Sequence, residues 1–255
     1  MDWHERFLQQ ARWTADLRRY IFDRIGVSSA WKILEVGCGT GAVLEIFREA
    51  NKDTLAETHQ PSLFGLDIDK NFLLQARIHR PNTYLVQGDV FALPFQRGSF
   101  DLVFCHFLLL WLKNPLEALA EMIHLIRPNG WLAAFAEPDY GGRIDFPTQL
   151  IPLGHLQEDS LTRQGAETRI GRRIKSLFYQ SKLMEIETGV LGANWSGLET
   201  ESEAENEWGV MRSDLDNILD DEELALYENI DRDARIMGER ILYVPTFYAM
   251  GRVKS

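Results

Sequence analysis

The 255 residues are 45% hydrophobic and 25% charged, values that exclude a disordered chain and suit one α/β domain with added segments. The formal net charge of −11 is local: Glu199 to Glu223 hold eleven acidic residues against the single Arg212, leaving 27 acidic and 26 basic residues elsewhere. Neither part offers the basic stripe that neutralises phosphates, so DNA and RNA are not expected as partners.

The start, Met1-Asp2-Trp3-His4-Glu5-Arg6, lacks the basic stretch and apolar run of a secretory signal. The longest apolar run, Phe107 to Leu112, is too short to cross a bilayer. A cytoplasmic protein without a membrane partner is the expectation. Cys38 and Cys105 are the two cysteines. Their number and separation suit neither a disulfide framework nor a zinc site, so they are read as small buried hydrophobes and no metal is expected.

Residues 4 to 25 read as one or two helices, with Phe7, Leu8 and Ala11 on one face and Trp13, Leu17, Tyr20 and Ile21 on another, stopped by Gly26. Arg12, Arg18, Arg19 and Arg24 read as solvated faces and Trp13 as a packing residue; a lid over the following glycine loop is the sharper reading. Residues 1–29 thus form a helical arm ahead of a first strand, Lys32 to Val36. The turn Gly37-Cys38-Gly39-Thr40-Gly41 leads from it into a helical pattern over Ala42 to Ala50.

A polar stretch, Asn51 to Gln60, precedes a second strand, Ser62 to Asp67. Asn71 to Arg80 is a helix with Phe72, Leu73 and Ala76 inward, stopped by Pro81, and Thr83 to Gln87 is a third strand. Phe100 to Cys105 has the unbroken apolar character of a strand buried on both faces. Pro115 opens a helix carrying Leu116, Leu119, Met122, Ile123 and Ile126, broken by Arg127-Pro128-Asn129-Gly130 before a fifth strand, Trp131 to Ala136, and a loop, Glu137 to Gly142. Strands alternating with helices at this rhythm predict a doubly wound, mostly parallel sheet.

A helix over Glu167 to Lys182 then leads to a strand at Met184 to Val190, and the last strand is expected at Tyr243 to Val253. Between them the acidic segment is helical in pattern, with a capping box at Ser202 and Glu205, Trp208, Met211 and Leu215 on one face, and a second helix carrying Tyr227, Ile230, Ala234 and Met237. Residues 199–240 are read as a helical cap insertion over the carboxyl edge of the sheet, within a single domain of residues 1–255. Its acidity is read as solvated outer faces, with attraction of a cationic substrate or partner as the alternative.

The glycine turn fits both GxGxG and the dinucleotide fingerprint, and by itself leaves the ligand open. Acids at successive strand ends add a second signal, because an open α/β sheet binds its ligand at its carboxyl edge. Leu34-Glu35-Val36-Gly37-Cys38-Gly39-Thr40-Gly41, Gly65-Leu66-Asp67-Ile68-Asp69, Gly88-Asp89-Val90 with Leu93-Pro94-Phe95, and Phe100-Asp101-Leu102-Val103 together resemble the class I S-adenosylmethionine-dependent methyltransferases. The likeness covers about residues 30 to 140 and is broadest with small-molecule enzymes of the ubiquinone-biosynthesis type.

That resemblance implies a Rossmann-like seven-stranded sheet with an antiparallel last strand, and S-adenosylmethionine as cofactor. It implies that Glu35, with the backbone of the Gly37, Cys38, Gly39 and Gly41 turn, holds the methionine part. Asp67 would accept the ribose hydroxyls, Ile68 pack on the adenine, Asp89 accept the adenine amino group, Val90 offer its N–H, and the Cys105 carbonyl meet the ammonium. Asp69 is read as a helix cap and Asp101 as pointing away from the site.

The resemblance names no catalytic residue, since in-line methyl displacement can proceed through alignment and desolvation. His106, Phe107, Trp111, Tyr140, Trp195 and Trp208 are candidate lining for a small, partly apolar or aromatic acceptor, each with ordinary packing as its competing reading. His106 is a candidate general base, with a structural histidine as the alternative, and His155 a weaker candidate. A non-catalytic S-adenosylmethionine-binding protein and a nicotinamide-dependent oxidoreductase are the competing functions.

Overall fold

The computed structural model describes residues 3–44, 61–192 and 201–255. The expected stretch Asn51 to Gln60, most of the helix after Ala42, and Trp195 lie outside them. The arm is two helices, α1 (Trp3–Trp13) and α2 (Ala15–Ile25), the second ended by Gly26 at φ 69°, the left-handed conformation that glycine adopts at least cost. Then come β1 (Lys32–Val36), β2 (Ser62–Asp67), α3 (Lys70–His79), β3 (Tyr84–Gln87), β4 (Phe100–His106), α4 (Pro115–Leu125) and β5 (Ile126–Pro138). The second half holds β6 (Ile144–Phe146), α5 (Ile151–Arg163), α6 (Ile174–Gln180), β7 (Met184–Val190), α7 (Glu201–Asp214), α8 (Asp221–Ile236), β8 (Ile241–Tyr243) and β9 (Thr246–Arg252).

Seven strands form one sheet in the order β3-β2-β1-β4-β5-β9-β7. The first five pair in parallel, and β9 runs antiparallel to both β5 and β7. This is the expected Rossmann-like sheet with a reversed last strand. The order turns outward in both directions between β1 and β4, so the loops after these two strands flank the crevice where such sheets bind ligands. No helix among the described residues is long and apolar enough to cross a membrane.

Side-chain alternation sorts the strands onto two layers. Leu34, Val36, Val103 and Cys105 face the layer of α4 and α6, whereas Ile33, Leu102 and Phe104 face the arm and α3. Glu35 and His106 fall in register with the second set. Burial of both faces explains why these strands are nearly continuous apolar runs. A third, smaller core joins Leu150 and Leu153 near the start of α5 to Trp208, Met211 and Leu215.

Several expectations change. Trp13 is 52% exposed rather than packed, and Arg18 is 2% exposed rather than solvated. Leu116 is exposed and Ile126 already belongs to β5, which continues through Arg127 to Gly130 instead of starting at Trp131. The last strand divides into β8 and β9, and β8 pairs with β6 in a two-stranded sheet the sequence reading did not anticipate, as it also missed α5. Ser202 falls inside α7, its side chain outside the described residues; a capping box does occur one helix later, where Asp220 and Glu223 exchange hydrogen bonds at the start of α8.

Candidate active site

The glycine turn is held by the strand beside it. Gly37 and Cys38 donate their N–H groups to the Leu66 carbonyl at 2.7 and 3.0 Å, and Gly39 N–H reaches Asp67 Oδ2 at 2.7 Å. Gly37 and Gly39 stand at φ 74° and 51°, where a side chain would be strained. A Cβ at Gly37 would also lie 2.9 Å from Leu108 Cδ1, and one at Gly39 would lie 3.0 Å from the Phe7 ring. Asp67 accepts a second N–H, from Asp69 at 2.8 Å, through Oδ1. Burial raises its pKa against the pull of these N–H donors. Each oxygen retains lone-pair capacity for a hydroxyl donor.

Glu35 precedes the turn, almost fully buried, and its Oε2 has no hydrogen-bond partner among the described residues. Burial raises its pKa well above the usual value and Asp67 adds to the rise; Arg18 and the Leu44 N–H oppose it. A buried carboxylate oxygen with nothing bound to it is costly unless a cation or donor arrives. Glu35 and Asp67 together thus offer carboxyl oxygens with free acceptor capacity, which fit a ligand carrying hydroxyl groups and an ammonium whose charge would favour the ionised form of Glu35.

The other expected residues sit along the same edge. Ile68 is 68% exposed, an apolar side chain left open just beyond Asp67. Asp89 is exposed, its Oδ1 taking the Phe91 N–H at 3.0 Å, and Val90 is buried. Gln87 Nε2 donates to the Ile68 carbonyl at 3.1 Å and ties the ends of β2 and β3 together. Cys38 and Cys105 are buried free thiols whose pKa values burial pushes well up, so both are protonated and inert. β4 runs one residue past Cys105, which pairs with Val36 and Ala134. Asp69 caps α3 through the Asn71 and Phe72 N–H groups, and Asp101 turns to the opposite edge, accepting Lys32 N–H at 2.7 Å and pairing with Arg127 at 2.6 Å.

The arm closes over the turn. His4 Nδ1 lies 2.9 Å from Thr40 Oγ1, its ring stacks on His79 at 3.5 Å, and Phe7 meets Phe72 edge-on. Arg18 donates to Thr14 Oγ1 and, at 2.6 Å, to the Ala11 carbonyl, while Thr14 Oγ1 lies 3.0 Å from His106 Nε2. Burial, reinforced by Arg18, holds His106 well below its usual pKa and therefore neutral at pH 7. With Nε2 engaged by Thr14, His106 serves to dock the arm on β4. Arg18 occupies the stripe it forms with Ile21, Phe22 and Ile25, and that i, i+3, i+4, i+7 spacing was the available signal of its burial.

Glu137 is a site residue that its position in an expected loop concealed. It ends β5 with no exposed surface and accepts the Leu108, Leu109 and Leu110 N–H groups at 3.2, 3.0 and 3.2 Å. These are the otherwise unpaired donors of the turn after β4, and fixing them seats Leu108 against Gly37. Burial raises Glu137 to about 8 against the three N–H donors.

Among the acceptor candidates, Tyr140 lies in a turn fixed by Asp139, which accepts hydrogen bonds from Arg172 Nε and Nη2 at 2.6 and 2.7 Å. Trp208 is buried, its Nε1–H given to Asp231 at 2.9 Å, and belongs to the third core. Trp111 is exposed and Phe107 half-buried at φ 50°. Among the described residues no group of three or more His, Cys, Asp or Glu side chains is placed to hold a metal.

Residues 34–134 match the family described as "Methyltransferase domain". Over that stretch, 101 of the 255 residues, the chain is similar to that family. The demethylmenaquinone methyltransferase of Renibacterium salmoninarum is 34% identical over 135 residues, 52% of each chain. The chain spans about half the length of the curated relatives it matches. A putative sarcosine dimethylglycine methyltransferase from Galdieria sulphuraria shares the fold at 14% identity, with a TM-score of 0.57 over 94% of this chain and 85% of that one. Phosphoethanolamine N-methyltransferase 2 of Haemonchus contortus, solved in complex with S-adenosyl-L-methionine, does so at 13% identity, with a TM-score of 0.56 over 94% and 52%. The matched stretch begins inside β1 and ends inside β5, so it takes in the glycine turn, Glu35, Asp67, Asp89 and Cys105.

Proposed function

We propose that this chain is an S-adenosylmethionine-dependent methyltransferase acting on a small organic acceptor. The observation that carries the reading is the buried Oε2 of Glu35, unpartnered among the described residues, just ahead of a glycine turn and beside Asp67, at the point where the strand order reverses. Glu35 is assigned to the ammonium of the cofactor, Asp67 to its ribose hydroxyls, Ile68 to one adenine face, and Asp89 with the Val90 N–H to the adenine edge. The backbone of Gly37, Cys38, Gly39 and Gly41 and the Cys105 carbonyl complete the assignment.

Bound there, S-adenosylmethionine would supply an electrophilic methyl group for displacement by an acceptor lone pair, with the sulfur keeping the electron pair of the broken bond and the acceptor's proton passing to solvent. The protein's own part is alignment and exclusion of water. Glu137 holds the turn carrying Leu108 against Gly37, and the arm, docked through Thr14 and His106, covers the glycine turn. Residues 1–29 act as an arm and residues 199–240 as a helical cap on one domain; between them the acceptor approaches.

Thermal shift separates this function from its competitors. S-adenosylhomocysteine should raise the melting temperature at concentrations where NAD does not. A shift with NAD and none with S-adenosylhomocysteine overturns the assignment.

A further inference from the structure

The turn after β5 and helices α5, α7 and α8 bring a set of charged side chains together, and Arg6 of the arm lies within the field of Glu207 and Asp214 among them. Most are matched. Arg143 pairs with Asp145 at 2.6 Å, Arg240 with Asp231 at 2.5 Å and Asp145 at 3.2 Å, and Arg235 with Asp231 and Glu207 at 2.6 Å each. Among the described residues two charges are left over. Arg6, on α1, makes one hydrogen bond, a 3.3 Å contact with Gln9 Oε1, and lies 5.3 Å from the Trp13 ring centroid. Asp214, at the end of α7, takes Gln157 Nε2 at 2.7 Å on Oδ2, leaving its other oxygen open and no cation in contact.

Asp214 is tied to the Tyr140 turn by hydrogen bonds: Gln157, which donates to Asp214, accepts Arg143 Nη1–H at 2.5 Å, and the Arg143 backbone N–H donates to the Tyr140 carbonyl at 3.1 Å. Arg6 and Asp214 feel each other's charge, and Tyr140 feels both. The Tyr140 hydroxyl has no hydrogen-bond partner among the described residues, although its backbone is fixed by the Thr168 carbonyl at 2.9 Å and by the neighbouring Asp139–Arg172 pair. A cation, an anion and a hydroxyl are thus presented by three separate elements, each held from behind and each with unused hydrogen-bonding capacity. Arg6 also adjoins Phe7, whose ring rests on Gly39, so the set borders the cofactor turn. Opposite charges left apart inside a protein are costly unless something carrying both signs lies between them.

We propose that Arg6, Tyr140 and Asp214 form the polar end of the acceptor site, and that the acceptor is a small zwitterion with its anionic group on Arg6 and Tyr140 and its amine toward Asp214. This rests on the methyltransferase reading and narrows it, replacing an apolar aromatic acceptor by an ionised one. Arg6 supplies the planar donor fork suited to a carboxylate or phosphate, and Asp214 the free oxygen suited to an ammonium. It also gives part of the acidic segment a role: Asp214 turns inward instead of forming a solvated face.

The test uses the full chain with methyl-labelled S-adenosylmethionine and a metabolite extract divided by ion exchange into cationic, anionic, neutral and zwitterionic pools. The zwitterionic pool is what a cation exchanger retains in acid and an anion exchanger retains in base. Label should enter that pool. At limiting pool concentration Arg6→Gln and Asp214→Asn should each slow transfer about ten-fold or more, and Arg6→Lys, which keeps the charge and loses the fork, should slow it less. Affinity for S-adenosylhomocysteine, measured by calorimetry, should stay within about two-fold in all three, which also shows that the variants fold. Label confined to another pool, no label in any pool despite cofactor binding, or undiminished transfer by both Arg6→Gln and Asp214→Asn overturns the zwitterion site. The first and last of these leave methyl transfer standing, and failure to bind S-adenosylhomocysteine removes the underlying reading itself.

Discussion

The glycine-turn edge and the ionic cluster among α5, α7 and α8 are both polar sites inside an apolar fold, yet they are assembled in opposite ways. The first is made from short stretches at the ends of β1, β2 and β3, each with its own signature, and its partners are mostly backbone N–H groups. The second gathers Arg143, Asp145, Gln157, Asp214, Asp231 and Arg240 from distant parts of the chain, and its partners are mostly side chains. Backbone donors come with the fold, so the first site needs its acids at fixed strand ends. Side-chain ion pairs depend on packing, so the second exists only once α5, α7 and α8 have met.

Breaking each site should therefore have a different signature. The largest loss of stability is expected from Arg240→Met, which takes one of two arginine partners from each of the buried Asp231 and Asp145 and removes donors to the Phe146 and Ile241 carbonyls. Unfolding in denaturant should show a loss of about 3–5 kcal/mol, equivalent to a melting point lower by about 10 °C, with S-adenosylhomocysteine affinity changed by no more than about two-fold. A loss of affinity as large as the loss of stability would show that the two sites are one. Asp67→Ala reverses the pattern. On the proposed assignment it would remove two charge-assisted hydrogen bonds to the ribose, and it should weaken S-adenosylhomocysteine binding about 100-fold by calorimetry. Stranding the Gly39 and Asp69 N–H groups should cost about 1–3 kcal/mol of stability, less than the Arg240 variant loses.

The same contrast explains what the sequence disclosed. The alternation of apolar strands and helices and the decoy roles of Asp69 and Asp101 follow from local spacing and from which strand end an acid occupies, whereas the reversed last strand was implied by the family resemblance. Arg18 was misread because an arginine on a short helix is far more often solvated; its place in the Ile21, Phe22 and Ile25 stripe was the contrary signal. Glu137 was passed over because its function depends on a turn 27–29 residues earlier, whose N–H groups it completes. The β6–β8 pair joins segments about a hundred residues apart through three-residue strands, too short for periodicity to register. Glu207 and Asp214 were hidden by their acidic neighbours, since composition cannot say which carboxylates of an acidic helix turn inward.

Glu137 joins the two kinds of site, a side chain whose partners are all backbone. Its folded pKa of about 8 lies above the ordinary carboxyl value of 4.5, so the protonated form favours the folded state. That contribution is complete below the unfolded value and is lost as pH rises through about 8. Glu137→Gln should make stability fall less steeply between these limits in denaturant titrations at successive pH values. In acid the variant should be the less stable by about 1–3 kcal/mol, because an amide NH₂ cannot accept the Leu110 N–H. Toward pH 8 and above the gap should narrow. Parallel curves for the two proteins would mean that Glu137 is already ionised in acid and that its three N–H donors outweigh burial.

The smallest effect is expected at Asp101, the acid the two readings agree to leave out of the site. Its Oδ2 accepts the Lys32 N–H at the start of β1, and its Oδ1 meets Arg127, whose side chain is 53% exposed. Both contacts lie at the amino edge of the sheet, one strand length from Glu35 and Asp67. Asn at this position keeps an oxygen for Lys32 N–H and gives up an ion pair that water already screens, so Asp101→Asn should cost about 0.5–1 kcal/mol. S-adenosylhomocysteine affinity should stay within about two-fold. If calorimetry found a loss approaching that of the Asp67 variant, the position of an acid along its strand would no longer decide whether it serves the ligand, and the assignments of Glu35, Asp67 and Asp89 would lose their common basis.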